Sequence, residues 1–204
     1  LTISEDVSGD GVLQVQHVIR PKTEKFHDYR GFAGKVKSGV FQKGDQIEVF
    51  PSGQKTTVKS IEKYGQNKDE VVEGENATLL LEDEIDASRG NAIVKTKHRL
   101  KTDKQLQAKV CWMQSSDLNP NSKYWLQQGV NKILVKVNDI ASKMDWEAWK
   151  SVPTNRLTMN DIGAVNLQLA QPLIYAPYSS NKSLGAFILI DAQTNNTAGV
   201  GFIL

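Results

Sequence analysis

Apolar and polar residues alternate along most of this chain. In LQVQHVIR, Leu13, Val15, His17 and Ile19 fall on one face of an extended segment, and AVNLQL at positions 164–169 alternates in the same way. Successive side chains of a β-strand point to opposite faces, so this alternation is typical of half-buried strands. It also predicts that His17 is a hydrogen-bonded core histidine rather than a metal ligand. The other strand candidates are GFAGKVKSG, DQIEVF, TTVKSIEKY, NATLLLE, NAIVK, QAKVCWM, NKILVKVND, GAFILID and AGVGFIL.

Turn-forming residues separate these candidates. Lys43-Gly44-Asp45 and Pro51-Ser52-Gly53 follow or precede strand segments, and Asn195-Asn196 lies between the last two. Proline presets the φ angle that starts a turn, whereas glycine and asparagine tolerate the left-handed backbone. Many short strands with turns at this spacing predict an all-β fold of barrels or sandwiches. The helical pattern is weak, and Met144–Lys150, MDWEAWK, is predicted to be a short helix or a loop.

A polar, basic segment interrupts the strand pattern near the middle of the chain. It is KTKHRLKTDKQ, Lys95 to Gln105, with strand patterns ending before it and resuming after it. This change predicts a first all-β domain at residues 1–98 and a second at residues 99–204.

Composition and charge narrow the class of protein. The 204 residues are 39% hydrophobic and 24% charged, as expected for a globular protein with real cores. With 25 Lys and Arg against 23 Asp and Glu, the net charge is +2. This balance gives no electrostatic case for nucleic acid or for a membrane surface.

The single cysteine, Cys111, excludes an intrachain disulfide. It lies in the apolar run AKVCWM, which predicts a small buried hydrophobic residue. No apolar run approaches the roughly 18 residues of a membrane-spanning helix, and LTISEDVSGD lacks the features of a signal peptide. We therefore expect a cytoplasmic protein. Because the chain begins at Leu1 rather than methionine, we also expect it to be part of a longer one.

The sequence lacks the common signatures of nucleotide, zinc and hydrolase sites. No GxxxxGK[ST] phosphate loop is present, because Asp45 follows Gly44 where lysine is needed. His17, His27 and His98 do not have the spacing of a helical zinc site, and there is no CxxC or GxSxG.

The aromatic residues are concentrated in the second half of the chain. Trp112 alternates in phase with Val110 and is predicted to lie in the core. Trp146 and Trp149 are three positions apart on the predicted short helix. There they would either cap a barrel, which we favour, or form a ridge that binds a partner.

The most acidic stretch is LEDEIDASRG, which contains Glu82, Asp83, Glu84 and Asp86. A calcium loop needs the D-x-[DN]-x-[DN]-G spacing, which is absent, and adjacent side chains of an extended segment diverge. A solvated loop is therefore favoured over a metal site or a pair of catalytic acids. In such a loop Ile85 would be an apolar plug, and Arg89 would pair with a neighbouring acid.

Longer stretches resemble one family. LLLEDEIDASRGN is closely similar to a signature of the large, GTP-binding subunit of bacterial sulfate adenylyltransferase. Other similar stretches follow in the family's order: QHVIRP, DYRGFAGKVKSGVFQKGDQIEVFPSGQKTTVKSI, VVEGENATLLLEDEIDASRG, AKVCWM, LTMNDIGAVNLQLAQPL and GAFILIDAQTNNTAGVG. The GxxxxGVxxKGD pattern marks translation-factor barrels in general, but its combination with LEDEID, NDIG and FILID is more specific. The resemblance covers nearly the whole chain and is weakest at residues 131–155.

In that family a GTPase domain is followed by two β-barrels arranged as in elongation factor Tu. The resemblance implies that residues 1–98 form a barrel like domain II of elongation factor Tu and residues 99–204 a barrel like domain III, without the GTPase domain. GTP and Mg²⁺ would bind to that other domain. The resemblance therefore implies no cofactor, no metal and no catalytic residue in this chain.

The family joins ATP and sulfate into adenosine 5′-phosphosulfate and pyrophosphate, with GTP hydrolysis coupled to this uphill step. Adenylyl transfer occurs on a separate small catalytic subunit. The resemblance implies that the barrels contact the GTPase domain in cis and dock the small subunit, with no nucleic acid or membrane as a partner. The candidate interface residues are Tyr29, Arg30, Glu82, Asp83, Glu84, Asp86 and Arg89.

Two alternatives remain open at this point. Arg30 and Arg89 would pair locally with the loop acids, which is a structural role rather than a docking one. The chain could also be the tRNA-binding barrels of a translation factor, for which the basic cluster at Lys95, Lys97, Arg99 and Lys101 is the available signal.

Overall fold

The chain forms an all-β structure of two closed barrels, as the alternation and the resemblance predict. This computed structural model describes residues 10–21, 29–96 and 100–204, which form sixteen strands and one four-residue helix. The chain divides into two compact units, Leu1–Leu100 and Lys101–Leu204. The boundary predicted between residues 98 and 99 lies at positions 97–99, outside the described residues.

The first barrel is a ring of six strands with additions. Its elements are β1 Val12–Ile19, β2 Gly31–Ser38, β3 Val40–Gln42, β4 Gln46–Phe50, β5 Gln54–Lys63, β6 Gln66–Lys68, β7 Glu70–Val72, β8 Asn76–Leu81 and β9 Ala92–Lys95. The hydrogen-bonded order is β4-β9-β1-β2-β8-β5, and pairing of β4 with β5 closes the ring. Strand β6 extends β5, and β3 pairs with β7 as a separate ribbon. Large apolar side chains such as Phe32, Phe41 and Leu79 fill the interior.

The second barrel closes in the same way. Its elements are β10 Lys101–Trp112, β11 Lys123–Gln128, β12 Asn131–Asp145, β13 Lys150–Pro153, β14 Ile162–Tyr175, α1 Lys182–Gly185, β15 Ala186–Asp191 and β16 Thr197–Ile203. The order is β11-β15-β16-β10-β14-β12, with pairing of β11 and β12 closing the ring and β13 added to β12. Strand β10 starts at Lys101, inside the polar segment that the sequence predicts to be a connector. These polar residues form a strand because they pair with Leu173–Tyr175 of β14, and their side chains are exposed.

Trp112 is the largest fully buried side chain of the second barrel, as predicted. Its indole N–H donates to the carbonyl of Ser116 at 2.6 Å, and its ring meets Tyr124 edge-on at 5.7 Å between centroids. The buried polar atom is thus satisfied while the ring packs in the core. Adjacent Cys111 is half-buried and alternates to the outer face, so the prediction of a buried Cys111 is wrong.

The core position predicted for His17 is wrong, whereas of the two alternatives for Met144–Lys150 the loop is observed at residues 146–149 and the helix is not. The alternation that places His17 inward is broken by a β-bulge between Val15 and His17, which rotates His17 to an exposed position. The segment Met144–Lys150 is the end of one strand, a turn and the start of the next, because Asp145 and Lys150 pair across β12 and β13.

The turn between β12 and β13 carries Trp146 and Trp149 outward. The side chain of Asp145 accepts hydrogen bonds from the backbone N–H groups of Glu147 and Ala148, and Trp149 has a positive φ of 50°. The two tryptophan rings contact each other edge-on at 5.8 Å and are 48% and 78% exposed. They do not cap the barrel, contrary to the interpretation that the sequence favours.

The predicted turns are present. Gly44 and Gly53 have positive φ angles of 88° and 74°, and Asn195 adopts φ 58° between β15 and β16. These values require the left-handed region that glycine and asparagine tolerate best. Among the described residues, no helix is long and apolar enough to cross a bilayer.

Asp161 ties the start of β14 to β12. Its carboxylate accepts hydrogen bonds from the N–H and hydroxyl of Thr158 at 2.8 and 2.9 Å, and Lys143 lies 3.1 Å away. Burial alone would raise the pKa of Asp161, but these hydrogen bonds and the Lys143 charge outweigh it and hold the pKa below its ordinary value.

We expect acid to weaken the second barrel through Asp161. A depressed pKa in the folded state contributes stability that is present above the unfolded pKa, about 4, and is lost as pH falls through the folded pKa. Asp161→Asn should lower the free energy of unfolding by about 1–3 kcal/mol at pH 7 and flatten its decline below about pH 4. Urea unfolding followed by tryptophan fluorescence between pH 7 and 3 measures both effects, since all four tryptophans lie in the second unit. Glu147→Gln, on the exposed turn, is the matched control, and an unchanged slope in Asp161→Asn contradicts the prediction.

Candidate interface cleft in the first barrel

Three strand ends meet at one end of the first barrel. Ile19, the last residue of β1, pairs with Gly31, the first residue of β2, and Gly31 also pairs with Leu80 near the end of β8. The residues that follow β1, precede β2 and follow β8 are therefore neighbours in space. This arrangement brings together segments that are more than 50 residues apart in the sequence.

The space between these ends is a cleft of about 340 Å³. Its floor is apolar, with Phe32 and Leu81 buried. Three cationic and three carboxylate side chains surround the opening. The lining residues are Arg20, Pro21, Tyr29, Arg30, Phe32, Lys59, Leu80, Leu81, Glu82, Asp83 and Glu84. A cleft with an apolar floor and a rim of mixed charge suits a complementary polypeptide surface.

Arg30 is held in a fixed position within the cleft. Its Nη2 lies 2.8 Å from the Asp86 carboxylate, and its guanidinium carbon lies 5.3 Å from the centre of the Phe32 ring. The side chain is 20% exposed, and its Nε is buried with no hydrogen-bond partner among the described residues. Because this Nε is out of reach of solvent, only the exposed part of the Arg30 side chain is available to a partner.

The acidic loop that follows β8 is anchored to the barrel by two buried apolar side chains and by one hydrogen-bonded carboxylate. Ile85 and Ala87 are each 4% exposed and pack in the core, so Ile85 is the apolar plug that the sequence predicts. The hydroxyl of buried Thr56 donates to the Asp83 carboxylate at 2.8 Å. Because plug and acid alternate, Glu84 and Asp86 point outward.

The carboxylates of the loop diverge rather than converge on one point. Asp83 faces Thr56 and Asp86 faces Arg30. Across residues 10–21, 29–96 and 100–204, no group of three His, Cys, Asp or Glu side chains is placed to hold a metal ion.

Tyr29 forms the other wall of the cleft. Its hydroxyl donates to the Glu62 carboxylate at 2.6 Å. Burial, this hydrogen bond and the Glu62 charge together raise the pKa of Tyr29 well above its ordinary range. The phenol therefore stays neutral and keeps its proton on the bond to Glu62, which fixes the ring beside Gly31.

Arg89 differs from the other predicted interface residues. Its Nη1 donates to the backbone carbonyl of Gln16 at 3.1 Å, and it does not line the cleft. Local pairing with a loop acid was predicted for both Arg30 and Arg89. It is observed between Arg30 and Asp86, whereas Arg89 bonds to the backbone of β1 instead. Five of the seven predicted positions line the cleft, and Asp86 joins them through Arg30.

Sequence reasoning missed Arg20 and Lys59 as members of this cleft. Lys59 is an exposed residue on β5, and Arg20 follows the last residue of β1. The sequence gives only a weak indication that they line a cleft. Arg20 is a cation directly after a strand, and Lys59 is a polar position in the alternating segment TTVKSIEKY. Neither distinguishes a cleft residue from an ordinary surface residue.

Comparison with known proteins identifies the class of both barrels. The family described as elongation factor Tu domain 2 matches residues 33–94, and the one described as GTP-eEF1A C-terminal domain-like matches residues 105–204. Two crystal structures of sup35, with GDP and with GMPPNP, superpose on 97% and 100% of this chain with TM-scores of 0.84 and 0.86. The chain covers 48% and 49% of those structures, and at 15% identity the likeness concerns the fold alone. The chain is therefore a pair of barrels of the elongation factor Tu type.

Curated relatives give the family. Sulfate adenylyltransferase subunit 1 of Psychromonas ingrahamii is 37% identical over 203 residues, and that of Colwellia psychrerythraea is 40% identical over 191 residues. The bifunctional enzyme CysN/CysC of Rhodopirellula baltica is 38% identical over 192 residues. These matches cover 100%, 94% and 94% of this chain but 42%, 40% and 29% of the respective relatives. The chain belongs to the sulfate adenylyltransferase subunit 1 family, which confirms the resemblance, and it spans about two-fifths of the length of subunit 1.

Proposed function

We propose that this chain is the two-barrel module of the large subunit of a cytoplasmic sulfate adenylyltransferase. The complete enzyme would form adenosine 5′-phosphosulfate and pyrophosphate from ATP and sulfate, driven by GTP hydrolysis. What supports this proposal is identity of 37–40% to subunit 1 relatives over almost the entire chain. Translation-factor structures share the fold at 15% identity, so tRNA binding has weaker support.

In this proposal the barrels perform no bond-making step. GTP and Mg²⁺ would bind to a GTPase domain in the part of the protein outside this span, and a separate small subunit would transfer the adenylyl group. The barrels would connect the two through their surfaces. Such coupling requires an interface whose free energy differs between the nucleotide states.

The cleft of the first barrel is the proposed docking site for the small subunit. The observation that carries this assignment is Arg30, which Asp86 and Phe32 hold at the cleft while its side chain stays 20% exposed. A carboxylate of the small subunit would pair with the exposed part of the Arg30 side chain. The outward carboxylates of the acidic loop would add charge complementarity, which improves specificity and the rate of association.

Charge reversal in the cleft tests the docking site. In the full-length protein, Arg30→Glu and, separately, Glu84→Lys should raise the dissociation constant for the small subunit at least about tenfold, because like charges would face each other. Isothermal titration calorimetry with the purified small subunit measures this change.

The matched control is Lys136→Glu, which reverses an exposed charge on β12 of the second barrel. It should leave the dissociation constant within about twofold. Circular dichroism verifies that each variant is folded. Unchanged affinity in both cleft variants removes the cleft as the docking site, whereas failure of the unmodified protein to bind any small subunit removes the proposed function itself.

A further inference from the structure

Trp146 and Trp149 form an exposed aromatic ridge at the tip of the β12–β13 hairpin. The sequence leaves two roles open for them, and their exposure of 48% and 78% excludes the capping role. The edge-on contact of the two rings, at 5.8 Å between centroids, gives the ridge a defined shape. Tryptophan is one of the residues enriched at the energetic centres of protein interfaces. The ridge therefore has the chemistry of a contact surface rather than of an ordinary turn.

Further apolar side chains are exposed at the same end of the second barrel. The hairpin extends past the first residue of β14, so its tip lies at the end where β10 stops and β14 begins. Met113 and Met159 lie at this end, because their sequence neighbours Trp112 and Asn160 share a backbone hydrogen bond of 2.8 Å. They are 50% and 52% exposed. Methionine is flexible and adapts to an opposing surface, so this concentration of apolar groups marks a site of interaction.

A hollow of about 70 Å³ lies on the outer surface at the base of the same hairpin. This volume holds several water molecules or the end of one side chain. Lys109 pairs with Ala164, and Ala164 pairs with Ser142, so these three residues form one row across the hollow. Met144 and Ile162 supply its apolar lining. Because Met144 is two positions before Trp146, the hollow and the ridge are adjacent on the surface.

The ridge and the hollow carry opposite charges. On the ridge, Lys150 lies opposite Asp145 across the hairpin, which leaves the exposed carboxylate of Glu147 without an opposite neighbour. At the hollow, Lys143 already has a carboxylate 3.1 Å away, which leaves Lys109 as the exposed cation. Within the part of the chain that the structure describes, neither Glu147 nor Lys109 forms an ion pair. Opposite charges on two surfaces favour their association and fix its geometry.

We propose that the ridge of one molecule docks in the hollow of a second copy of the same chain. An unrelated partner would have to supply a matching hollow and cation, whereas this chain carries both beside its own ridge. Because each copy uses the same two surfaces, a two-fold axis closes the contact, and the product is a dimer rather than a filament. Glu147 of each copy would then face Lys109 of the other. This contact goes beyond the proposed function and is independent of small-subunit docking at the first barrel.

Sedimentation velocity of the full-length protein without the small subunit measures this association. The protein is studied between about 1 and 200 µM, where contacts of modest area dissociate. Glu147→Lys and, separately, Lys109→Glu should each raise the monomer–dimer dissociation constant at least about tenfold, because each brings like charges together at both contacts. Both positions are exposed, and circular dichroism verifies that the variants are folded. Lys136→Glu is the matched control and should change the constant by less than about twofold.

Mixing the two charge-reversed variants tests the pairing directly. In a mixed dimer, the reversed charge at position 147 of one copy faces the reversed charge at position 109 of the other. At the second contact, the original Glu147 and Lys109 face each other. An equimolar mixture should therefore form dimers again, with a dissociation constant within about threefold of that of the unmodified protein.

Removal of one ridge side chain provides a separate measurement. Trp149→Ala should raise the monomer–dimer dissociation constant at least about tenfold, because it deletes the most exposed ring of the ridge. Tyr64→Ala is the matched control, since it removes an aromatic ring that is 90% exposed on the first barrel. It should leave the constant within about twofold.

Other results overturn the proposal. A protein that stays monomeric over the whole concentration range has no such contact. Dimers that persist in both charge-reversed variants, or that do not return in the mixture, show that the ridge and the hollow do not meet. Species larger than the dimer exclude the two-fold arrangement. If Glu147→Lys and Trp149→Ala instead weaken binding of the small subunit, the ridge belongs to that interface. Failure of the unmodified protein to bind any small subunit bears on the proposed function alone.

Discussion

Replacing Trp112 with alanine is expected to lower the free energy of unfolding of the second barrel by about 3–5 kcal/mol. The side chain is fully buried, and its loss leaves a large cavity beside Tyr124. It also leaves the carbonyl of Ser116 without its 2.6 Å donor. The cavity and the unpaired acceptor both lower the free energy of unfolding. Urea unfolding followed by fluorescence of the three remaining tryptophans measures the change.

Trp149→Ala is the matched control, because it removes the same side chain from a position that is 78% exposed. Its loss costs the edge-on contact with Trp146 and should change the free energy of unfolding by less than about 1.5 kcal/mol. Equal destabilisation by the two substitutions contradicts the assignment of Trp112 to the core.

Ile85→Ala is expected to destabilise the first barrel by about 2–5 kcal/mol and to weaken docking of the small subunit. Ile85 is 4% exposed and anchors the acidic loop in the core. Without this anchor every charge of the loop is retained, but the carboxylates are no longer held in position beside Arg30. Hydrogen exchange of β1 and β8 peptides reports the loss of stability, and calorimetric titration with the full-length protein reports docking.

Two internal controls accompany this variant. Glu84→Ala changes the neighbouring exposed residue and should leave the stability of the first barrel within about 0.5 kcal/mol. The tryptophan fluorescence transition should not shift in Ile85→Ala, because all tryptophans lie in the other unit. Normal docking by a destabilised Ile85→Ala protein shows that the loop does not need its fixed shape.

Most strands are predictable because their cores impose a period of two on the sequence. The exceptions are instructive. Lys101–Gln105 belongs to β10 although it is polar throughout, since it is held by the hydrogen-bond ladder to β14 rather than by burial. An alternating pattern shows which face of a strand is buried. Where neither face is buried, the sequence carries no such pattern, and the strand is not predicted.

Local irregularities account for the remaining errors. The bulge beside His17 reverses the alternation without any change in residue pattern, because it arises from pairing with β2. At Asp145 the carboxylate accepts two backbone N–H groups, as the side chain at a helix N-terminus does, but here it stabilises a tight turn. Cross-strand pairing with Lys150 then decides between the two outcomes.

The cleft was partly predictable, through the resemblance rather than through physical pattern. The motifs DYRG and LEDEID supplied the residues, but Arg30 and Asp86 are 56 positions apart, and their pairing depends on the register between β2 and β8. Arg20 and Lys59 carry no distinguishing pattern at all. Register is a tertiary property, so a single sequence leaves it undetermined.

The closed rings have a consequence for solubility at high concentration. In each barrel the six ring strands have partners on both sides, so the open edges among the described strands are those of β6, β13 and the three-residue strands of the β3–β7 ribbon. Unpaired edges are where sheets of separate molecules join and polymerise. Strand β13 ends in Pro153, which has no N–H to donate, and β6 consists of exposed Gln66, Asn67 and Lys68. These short, polar or proline-terminated edges protect the molecule against fibre-like growth.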